Sequence, residues 1–124
     1  MKNNIDIENY VKGWRKRIER ERHQIDTRYL NARKTIPIII EILKKYDVEK
    51  IILFGSICQR ENFHKRSDID IAVVGLQDQF FFKAFGELMM KLDFEIDLKP
   101  YEQLDPLMKD RILKKGEVIY VKKK

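Results

Sequence analysis

Apolar residues recur every three or four positions along the first part of the chain, which is the spacing of one face of an α-helix. The residues of this stripe are Ile7, Val11, Trp14, Ile18, Ile25, Tyr29 and Ala32, and Glu21 interrupts it. Helical periodicity continues from Ile38 to Tyr46. Pro37 lacks an amide hydrogen, so we expect it either to kink one long helix or to begin a second.

The pattern then changes to the short apolar runs and two-residue alternation that are typical of strands. Strands are predicted over residues 50–54, 68–74, 94–99 and 118–121, and helices over residues 78–92 and 105–116. Asp78 and Asp105 are the expected N-cap residues of these helices, and Gly116 is expected to end the second. Strands separated by helices predict an α/β or α+β fold, with a sheet covered by helices.

Positive charge is concentrated at the two ends of the chain. Of the net charge of +6, residues 1–35 contribute +5 from ten Lys/Arg and five Asp/Glu, and residues 122–124 contribute +3. We therefore divide the chain into a basic amphipathic N-terminal helical extension, residues 1–35, and a domain of residues 36–124. The basic face of the extension is either a solvated surface or a nucleic-acid contact through Arg15, Arg17, Arg20 and Arg22.

Length and composition exclude several classes of protein. The 124 residues, 44% of them hydrophobic, suit one domain with its own core. The single cysteine excludes an internal disulfide and a cysteine-built zinc site. No apolar run approaches the ~20 residues of a membrane span, and the N-terminus lacks a signal-peptide pattern, so we expect a cytoplasmic protein without membrane contact.

Two carboxylates alternate with branched apolar residues in the predicted strand 68–74. Asp68 and Asp70 are two positions apart, so both side chains point to the same face of the strand. Such a pair repels itself unless cations lie between the carboxylates, and Mg²⁺ prefers a few carboxylates together with phosphate oxygens. The alternative is that each acid merely occupies a solvent-facing strand position.

A third acid lies in the next predicted strand. Asp97 has the same setting between two apolar residues, and it could reach Asp68 and Asp70 if the two strands pair. Glu95 shares its face and is the alternative third acid. Three convergent carboxylates can hold two metal ions and activate an attacking hydroxyl group.

Gly55 and Ser56 directly follow the apolar strand 50–54. Glycine lets the backbone turn sharply and approach a ligand closely, and the hydroxyl and amides that follow can donate to phosphate. The turn alone is weak evidence for a phosphate site. Its combination with the two acids that follow after eleven intervening residues is much stronger.

Together, the turn and the acids resemble a known family. The segments that carry the resemblance are Phe54-Gly55-Ser56, Arg60, Ser67-Asp68-Ile69-Asp70-Ile71 and Ile96-Asp97-Leu98. They resemble the minimal nucleotidyltransferases of the DNA polymerase β superfamily, of the antitoxin type, over residues 36–121. The resemblance implies a nucleotidyltransferase fold with a small mixed sheet flanked by helices, here preceded by a long N-terminal helical extension.

The resemblance also implies roles for individual residues. Asp68, Asp70 and Asp97 match the catalytic, metal-binding acids of the family, and the third helps to deprotonate the acceptor hydroxyl. The residues assigned to nucleotide binding are Gly55, Ser56, Arg60 and Ser67. Glu61 stands where the family often has a glycine after the arginine.

The function that the resemblance implies is transfer of a nucleoside monophosphate, AMP from ATP, to a hydroxyl group with release of pyrophosphate and the help of two Mg²⁺ ions. Similar antitoxins modify a tyrosine of a helical HEPN-type toxin, so such a toxin is the expected partner. Two alternatives stay open, a catalytically weak antitoxin that only binds and a nucleic-acid-binding protein that uses the basic helix. We expect the apolar stripe of that helix to pack against the domain, a partner or a second copy. Of these, we favour a homodimer through the helix.

Overall fold

Two helices, α1 over Lys2–Lys34 and α2 over Ile36–Lys44, form the first part of the fold. The computed structural model describes residues 2–123, with side chains from residue 6 onward. A turn at Thr35 separates the helices, and the Thr35 hydroxyl donates a 2.6 Å hydrogen bond to the carbonyl of Ala32. Pro37 lies in the first turn of α2, where no helical partner for its missing amide hydrogen is needed. Of the two predicted alternatives, Pro37 therefore begins a second helix.

The rest of the described chain builds a mixed four-stranded sheet with two further helices. The strands are β1 (Lys50–Phe54), β2 (Ile69–Val74), β3 (Ile96–Pro100) and β4 (Glu117–Val121), and the helices are α3 (Phe81–Lys91) and α4 (Pro106–Lys115). The strand order is β3-β2-β1-β4; β2 pairs in parallel with β3, and the other two pairs are antiparallel. The predicted mixed sheet flanked by helices is confirmed.

The sheet buries a different set of side chains on each face. One face holds the larger core, where Ile51, Leu53 and Ile71 pack with residues of α2, α3 and the last turns of α1. On the other face, Ile52 and Ala72 pack against Ile112 of α4. Alternation along a strand places Asp70 on the same face as Ala72, so this acid lies on the side of the sheet that α4 covers.

The two predicted helix caps have different outcomes. The carboxylate of Asp105 accepts a 2.8 Å hydrogen bond from the amide of Met108, so it caps α4 as expected. Asp78 instead begins a short 3-10 turn ahead of α3, makes no capping hydrogen bond and accepts from the side chain of Gln103 at 3.1 Å. The prediction for Asp78 is wrong because the helix starts three residues later, beyond the reach of that side chain.

The helix α1 packs on the domain only over its last turns. Ala32 is fully buried, and Ile25 and Tyr29 pack partly against the main core. The guanidinium of Arg33 makes two hydrogen bonds of 2.7 and 2.8 Å to the carboxylate of Glu117, which ties α1 to β4. The first half of the apolar stripe does not contact the domain, since Trp14 and its apolar neighbours are exposed. None of the described helices is long and apolar enough to cross a membrane.

Candidate active site

Asp70 and Asp97 lie side by side near the start of two neighbouring strands, β2 and the edge strand β3. The parallel register of β2 and β3 pairs Asp70 with Asp97 directly, between apolar neighbours that are buried on the opposite face. Adjacent strands are about 4.8 Å apart, so the two carboxylates share one patch on the α4 side. Asp68 lies just before β2 and is partly exposed.

The charges of these acids act on one another. Burial is the main reason that the pKa of Asp70 is raised from 3.8 to about 6, and the negative charges of Asp97 and then Asp68 raise it further. Glu95 lies just before β3, outside the paired strand, and it is not among the groups that shift this pKa. The direct register of Asp97 with Asp70 makes Asp97 the better candidate for the third acid.

Gly55 and Ser56 lie at the end of β1, next to Asp70. The register of β1 and β2 places Phe54 opposite Asp70, and the chain then enters a short 3-10 turn over Gly55–Cys58. Gly55 has φ +77°, and a β-carbon there would lie 2.3 Å from the Oδ2 atom of Asp70. A residue with a side chain would both strain the backbone and collide with the carboxylate.

A cavity of about 410 Å³ opens beside this turn. One side is formed by Gly55, Ser56 and Asp70, and the other by α4, with Arg111 and Lys115 among the lining residues. These two cations are four residues apart and so lie on one face of the helix. Two positive side chains opposite a turn with exposed amides make an environment suited to phosphate oxygens.

Sequence reasoning missed Arg111 and Lys115, and it also missed Lys99. The Lys99 ammonium lies 3.4 Å from the Oδ2 atom of Asp97, and its charge opposes the rise in the pKa of Asp70. The only signal in the sequence was spacing. Lys99 is two positions after Asp97 on β3 and so shares its face, and Arg111 and Lys115 are four positions apart and so share one face of α4. Nothing in the local sequence shows which face of α4 meets the sheet.

Arg60 and Ser67, assigned to nucleotide binding from the family resemblance, do not line this cavity. The Arg60 guanidinium pairs with the carboxylate of Asp26 on α1 and lies 5.7 Å from the ring centre of Tyr29. Ser67 is buried, and its hydroxyl accepts a 2.8 Å hydrogen bond from the amide of His64. In this structure both residues stabilise the segment that leads into β2.

Cys58, which also lines the cavity, is unsuited to nucleophilic chemistry. Its thiol donates to the carbonyl of Leu53 at 3.2 Å, and burial raises its pKa. A raised pKa keeps the sulfur protonated, whereas a nucleophile needs the thiolate.

The donor set around Asp70 fits a hard cation that substrate oxygens complete. Among residues 6–123, no three His, Cys, Asp or Glu side chains are arranged to hold a metal ion by themselves. Mg²⁺ usually takes only one or two protein carboxylates and fills its shell with water and phosphate oxygens. The burial of Asp70 beside two further carboxylates is the setting in which such a cation relieves repulsion.

Comparison with known proteins places this site in context. Residues 38–124 match the family model of polymerase beta nucleotidyltransferases. Two proteins of Methanocaldococcus jannaschii, each described as a candidate protein adenylyltransferase, are also similar. MJ1547 is 37% identical over 70 residues, covering 56% of this chain and 53% of the relative. MJ0435 is 40% identical over 80 residues, covering 60% of this chain and 83% of the relative. The chain thus matches about half the length of MJ1547.

Solved structures share this fold over most of the chain. A chain in the crystal structure of a toxin–antitoxin with AMP-PNP superposes with a TM-score of 0.62 at 26% identity, covering 71% of this chain and 74% of that one. A chain in the structure of a tri-AMPylated Shewanella oneidensis HEPN toxin in complex with MNT antitoxin has a TM-score of 0.57 at 22% identity, covering 73% and 72%. At that identity the second likeness concerns the fold alone.

Proposed function

Because this chain belongs to the polymerase β nucleotidyltransferase family, we propose that it transfers AMP from ATP to a hydroxyl group and releases pyrophosphate. The family and the enzyme class agree with the resemblance seen in the sequence. The observation that carries the proposal is the in-register pair of Asp70 and Asp97 beside the Gly55–Ser56 turn. Nucleotidyl transfer needs groups that hold the cations and accept the proton, which the acids would supply, and groups that hold the phosphates, which the turn would supply.

The proposed reaction is a displacement at the α-phosphorus of the nucleotide. The acceptor oxygen forms a bond to this phosphorus, the bond from the phosphorus to the oxygen that bridges to the β-phosphate breaks, and pyrophosphate leaves with the bonding electrons. The acceptor proton passes to the carboxylate of Asp97, which is partly exposed and open to an incoming group. Positioning and charge stabilisation then account for most of the rate.

Two Mg²⁺ ions are part of the proposal, and Asp68, Asp70 and Asp97 would hold them. Such ions neutralise the charge that develops on the phosphate oxygens. Without a cation, the ionised Asp70 is destabilised by burial and by its two acidic neighbours. The carboxylates therefore favour a positively charged ligand, and Lys99 supplies one such charge at 3.4 Å from Asp97.

The triphosphate would lie between the Gly55–Ser56 turn and α4. The turn can offer backbone amides and the Ser56 hydroxyl, and the cations of Arg111 and Lys115 face the same cavity. Arg60 and Ser67 stay in the proposal as second contributors. Arg60 would have to leave its ion pair with Asp26 before it could contact phosphate.

For the acceptor, we propose a tyrosine of a HEPN-type toxin protein. The two archaeal relatives are described as candidate protein adenylyltransferases, and a structural neighbour is a toxin–antitoxin with AMP-PNP. The sequence resemblance supplies the tyrosine and the HEPN class. ATP and a protein acceptor are both at hand in the cytoplasm, which is the compartment that we propose.

The proposal is tested by following label from two positions of ATP. The purified protein is incubated with a HEPN-type toxin, Mg²⁺ and ATP labelled at either the α- or the γ-phosphate, and the same mixtures are made with Asp70→Asn. We expect the toxin to carry label from the α-position alone, to lose it when its modified tyrosine is replaced by phenylalanine, and to stay unlabelled with the variant. Label from the γ-position, or no label at all, would overturn the assignment.

A binding antitoxin without catalysis is the second candidate that the same assay decides. It would bind the toxin and leave it unlabelled. All three acids are present, and position 55 beside Asp70 has room only for glycine. Both features favour the enzyme, because a module that merely binds needs neither. The homodimer expected through the N-terminal helix is tested by sedimentation of the purified protein, and the arginines of that helix argue against it.

A further inference from the structure

The first half of α1 carries apolar side chains that no described part of the chain covers. We call Ile7, Val11, Trp14 and Ile18 the α1 ridge. Their exposed fractions are 59%, 42%, 48% and 42%. They continue the face that buries Ile25 and Ala32 on the domain, so one apolar stripe is covered at one end and open at the other. A contiguous apolar surface of this kind marks an interaction site.

The spacing of this stripe is that of a coiled coil. The apolar positions 7, 11, 14, 18, 25 and 32 follow alternating steps of four and three residues, which is the repeat of the a and d sites of a heptad, and Glu21 and Arg28 occupy the two remaining d sites. All eight positions lie within the single helix Lys2–Lys34. The open part of the stripe therefore has the geometry to receive another helix along its length.

The residues that flank the ridge select the partner by charge. Arg15, Arg17 and Arg22 occupy e and g positions beside the ridge, and Glu8 is the single acid among the e and g positions from residue 8 to residue 24. In a coiled coil these positions face their counterparts on the second helix. A second copy of α1 would oppose arginine with arginine in either orientation, which is destabilising. Glutamates at the same positions of another helix would pair with them.

The apolar character of the ridge argues against nucleic acid as the occupant. Phosphates would contact the arginines and leave Ile7, Val11, Trp14 and Ile18 in water. An amphipathic helix satisfies both features at once. We propose that the α1 ridge binds an acidic amphipathic helix of a partner protein as a heteromeric coiled coil. This docking surface is separate from the catalytic site, and the proposal does not depend on catalysis.

Trp14 makes the proposal directly measurable. It is the only tryptophan of the chain and lies within the ridge, so its fluorescence reports coverage of that surface alone. The probes are two synthetic helical peptides of about four heptads with leucine at the a and d positions. One has glutamate at the e and g positions, and its matched control has lysine there.

With the full-length protein, we expect the acidic peptide to shift the Trp14 emission to shorter wavelength in a saturable titration. Its affinity should fall as salt is added, because the flanking charges are exposed and screened. The lysine peptide should bind at least about tenfold more weakly. The triple variant Arg15→Glu, Arg17→Glu, Arg22→Glu should reverse this preference. Ile18→Glu should abolish binding of both peptides, while the unfolding midpoint of the domain stays unchanged, since Ile18 does not contact it.

Three results would overturn the proposal. A shift of Trp14 emission that grows with protein concentration in the absence of peptide, together with a dimer in sedimentation, would assign the ridge to a second copy. A response to duplex DNA or single-stranded RNA without a response to the acidic peptide would assign the helix to nucleic acid. The absence of any response to the acidic peptide would show that the ridge is only a solvated surface.

Discussion

Gly55 and the carboxylate of Asp70 occupy adjoining space, such that a β-carbon on Gly55 would lie 2.3 Å from the Oδ2 atom of Asp70. The left-handed backbone of Gly55, at φ +77°, allows the turn after β1 to pass this closely. Turn and acid are thus one geometric unit, although fifteen positions separate them in the sequence. A change in either residue should disturb the other.

Replacement of Gly55 by alanine tests this unit. We expect Gly55→Ala to destabilise the protein by about 1–2 kcal/mol from the left-handed backbone alone, with a further loss from displacement of the Asp70 carboxylate, and to abolish transfer. Denaturant unfolding and the label assay measure the two effects. The matched control is Gly86→Ala in α3, where an added β-carbon meets no atom within 4 Å. It should stabilise the protein by about 0.5–1 kcal/mol and keep full activity. Equal behaviour of the two variants would contradict the close approach.

The variant Asp70→Asn should lose nucleotidyl transfer and keep its fold. The amide matches the carboxyl in shape but lacks the charge that attracts the cations and the substrate phosphates they bind. Circular dichroism checks the fold, and transfer from α-labelled ATP checks the activity. Full activity in a folded variant would remove Asp70 from the catalytic machinery.

The same variant should reveal a pH-dependent stability. Since the pKa of Asp70 is raised to about 6 in the native state, the native protein keeps a proton between pH 4 and 6 that the unfolded chain releases. The free energy of unfolding of the metal-free wild type should therefore fall as pH rises through this window, relative to Asp70→Asn. Above pH 6, this loss of unfolding free energy in the wild type relative to Asp70→Asn is complete. It amounts to about 1–3 kcal/mol after allowance for solvent screening. A difference that does not change with pH would show that neither burial nor the acidic neighbours raise the pKa of Asp70.

Asp97 and Glu95 can be separated by their effects on two kinetic constants. A group that removes a proton acts only in the transition state, so Asp97→Asn should lower kcat by about 10²–10⁴-fold with a much smaller effect on KM. Glu95→Gln is the matched control, because Glu95 lies two positions before Asp97, just ahead of β3, and is not among the groups that shift the pKa of Asp70. It should leave both constants within about twofold of the wild type. The reverse result would make Glu95 the third acid.

The cations of α4 should determine nucleotide affinity. We expect Arg111→Ala and Lys115→Ala each to weaken ATP binding about tenfold, the effect of losing a hydrogen bond to a charged group. Lys114→Ala is the control, because Lys114 pairs with Asp110 at 3.0 Å and does not line the cavity. Nucleotide titration by calorimetry compares the three. Equal affinities would place the triphosphate away from α4.

Local chemistry made some elements predictable from the sequence. Asp105 could be identified as a cap because capping depends on residues within one turn of the helix, and the capping hydrogen bond to Met108 is present. Asp70 and Asp97 could be placed on equivalent faces because strand alternation is local. Their direct pairing depends on strand order, which periodicity alone does not give.

Long-range contacts were the part that could not be predicted. The ion pair of Arg60 with Asp26 joins residues 34 positions apart, and no pattern near either residue indicates it. The orientation of α4, which turns Arg111 toward the cavity, follows from the packing of Ile112 on β1 and β2. Glu21 interrupts the α1 stripe between the exposed Ile18 and the partly buried Ile25, but nothing in the periodicity shows which side of the interruption packs on the domain.

The parallel pairing of β2 with β3 also bears on how fast the protein unfolds. The chain must complete the crossover through α3 before Asp70 and Asp97 come into register, so their repulsion develops only as β3 docks. If β3 docks after the rate-limiting barrier, protonation of Asp70 below pH 6 slows unfolding and leaves the refolding rate unchanged. The two arms of a chevron plot at pH 5 and pH 7 would then give the order in which the two halves of the active site assemble.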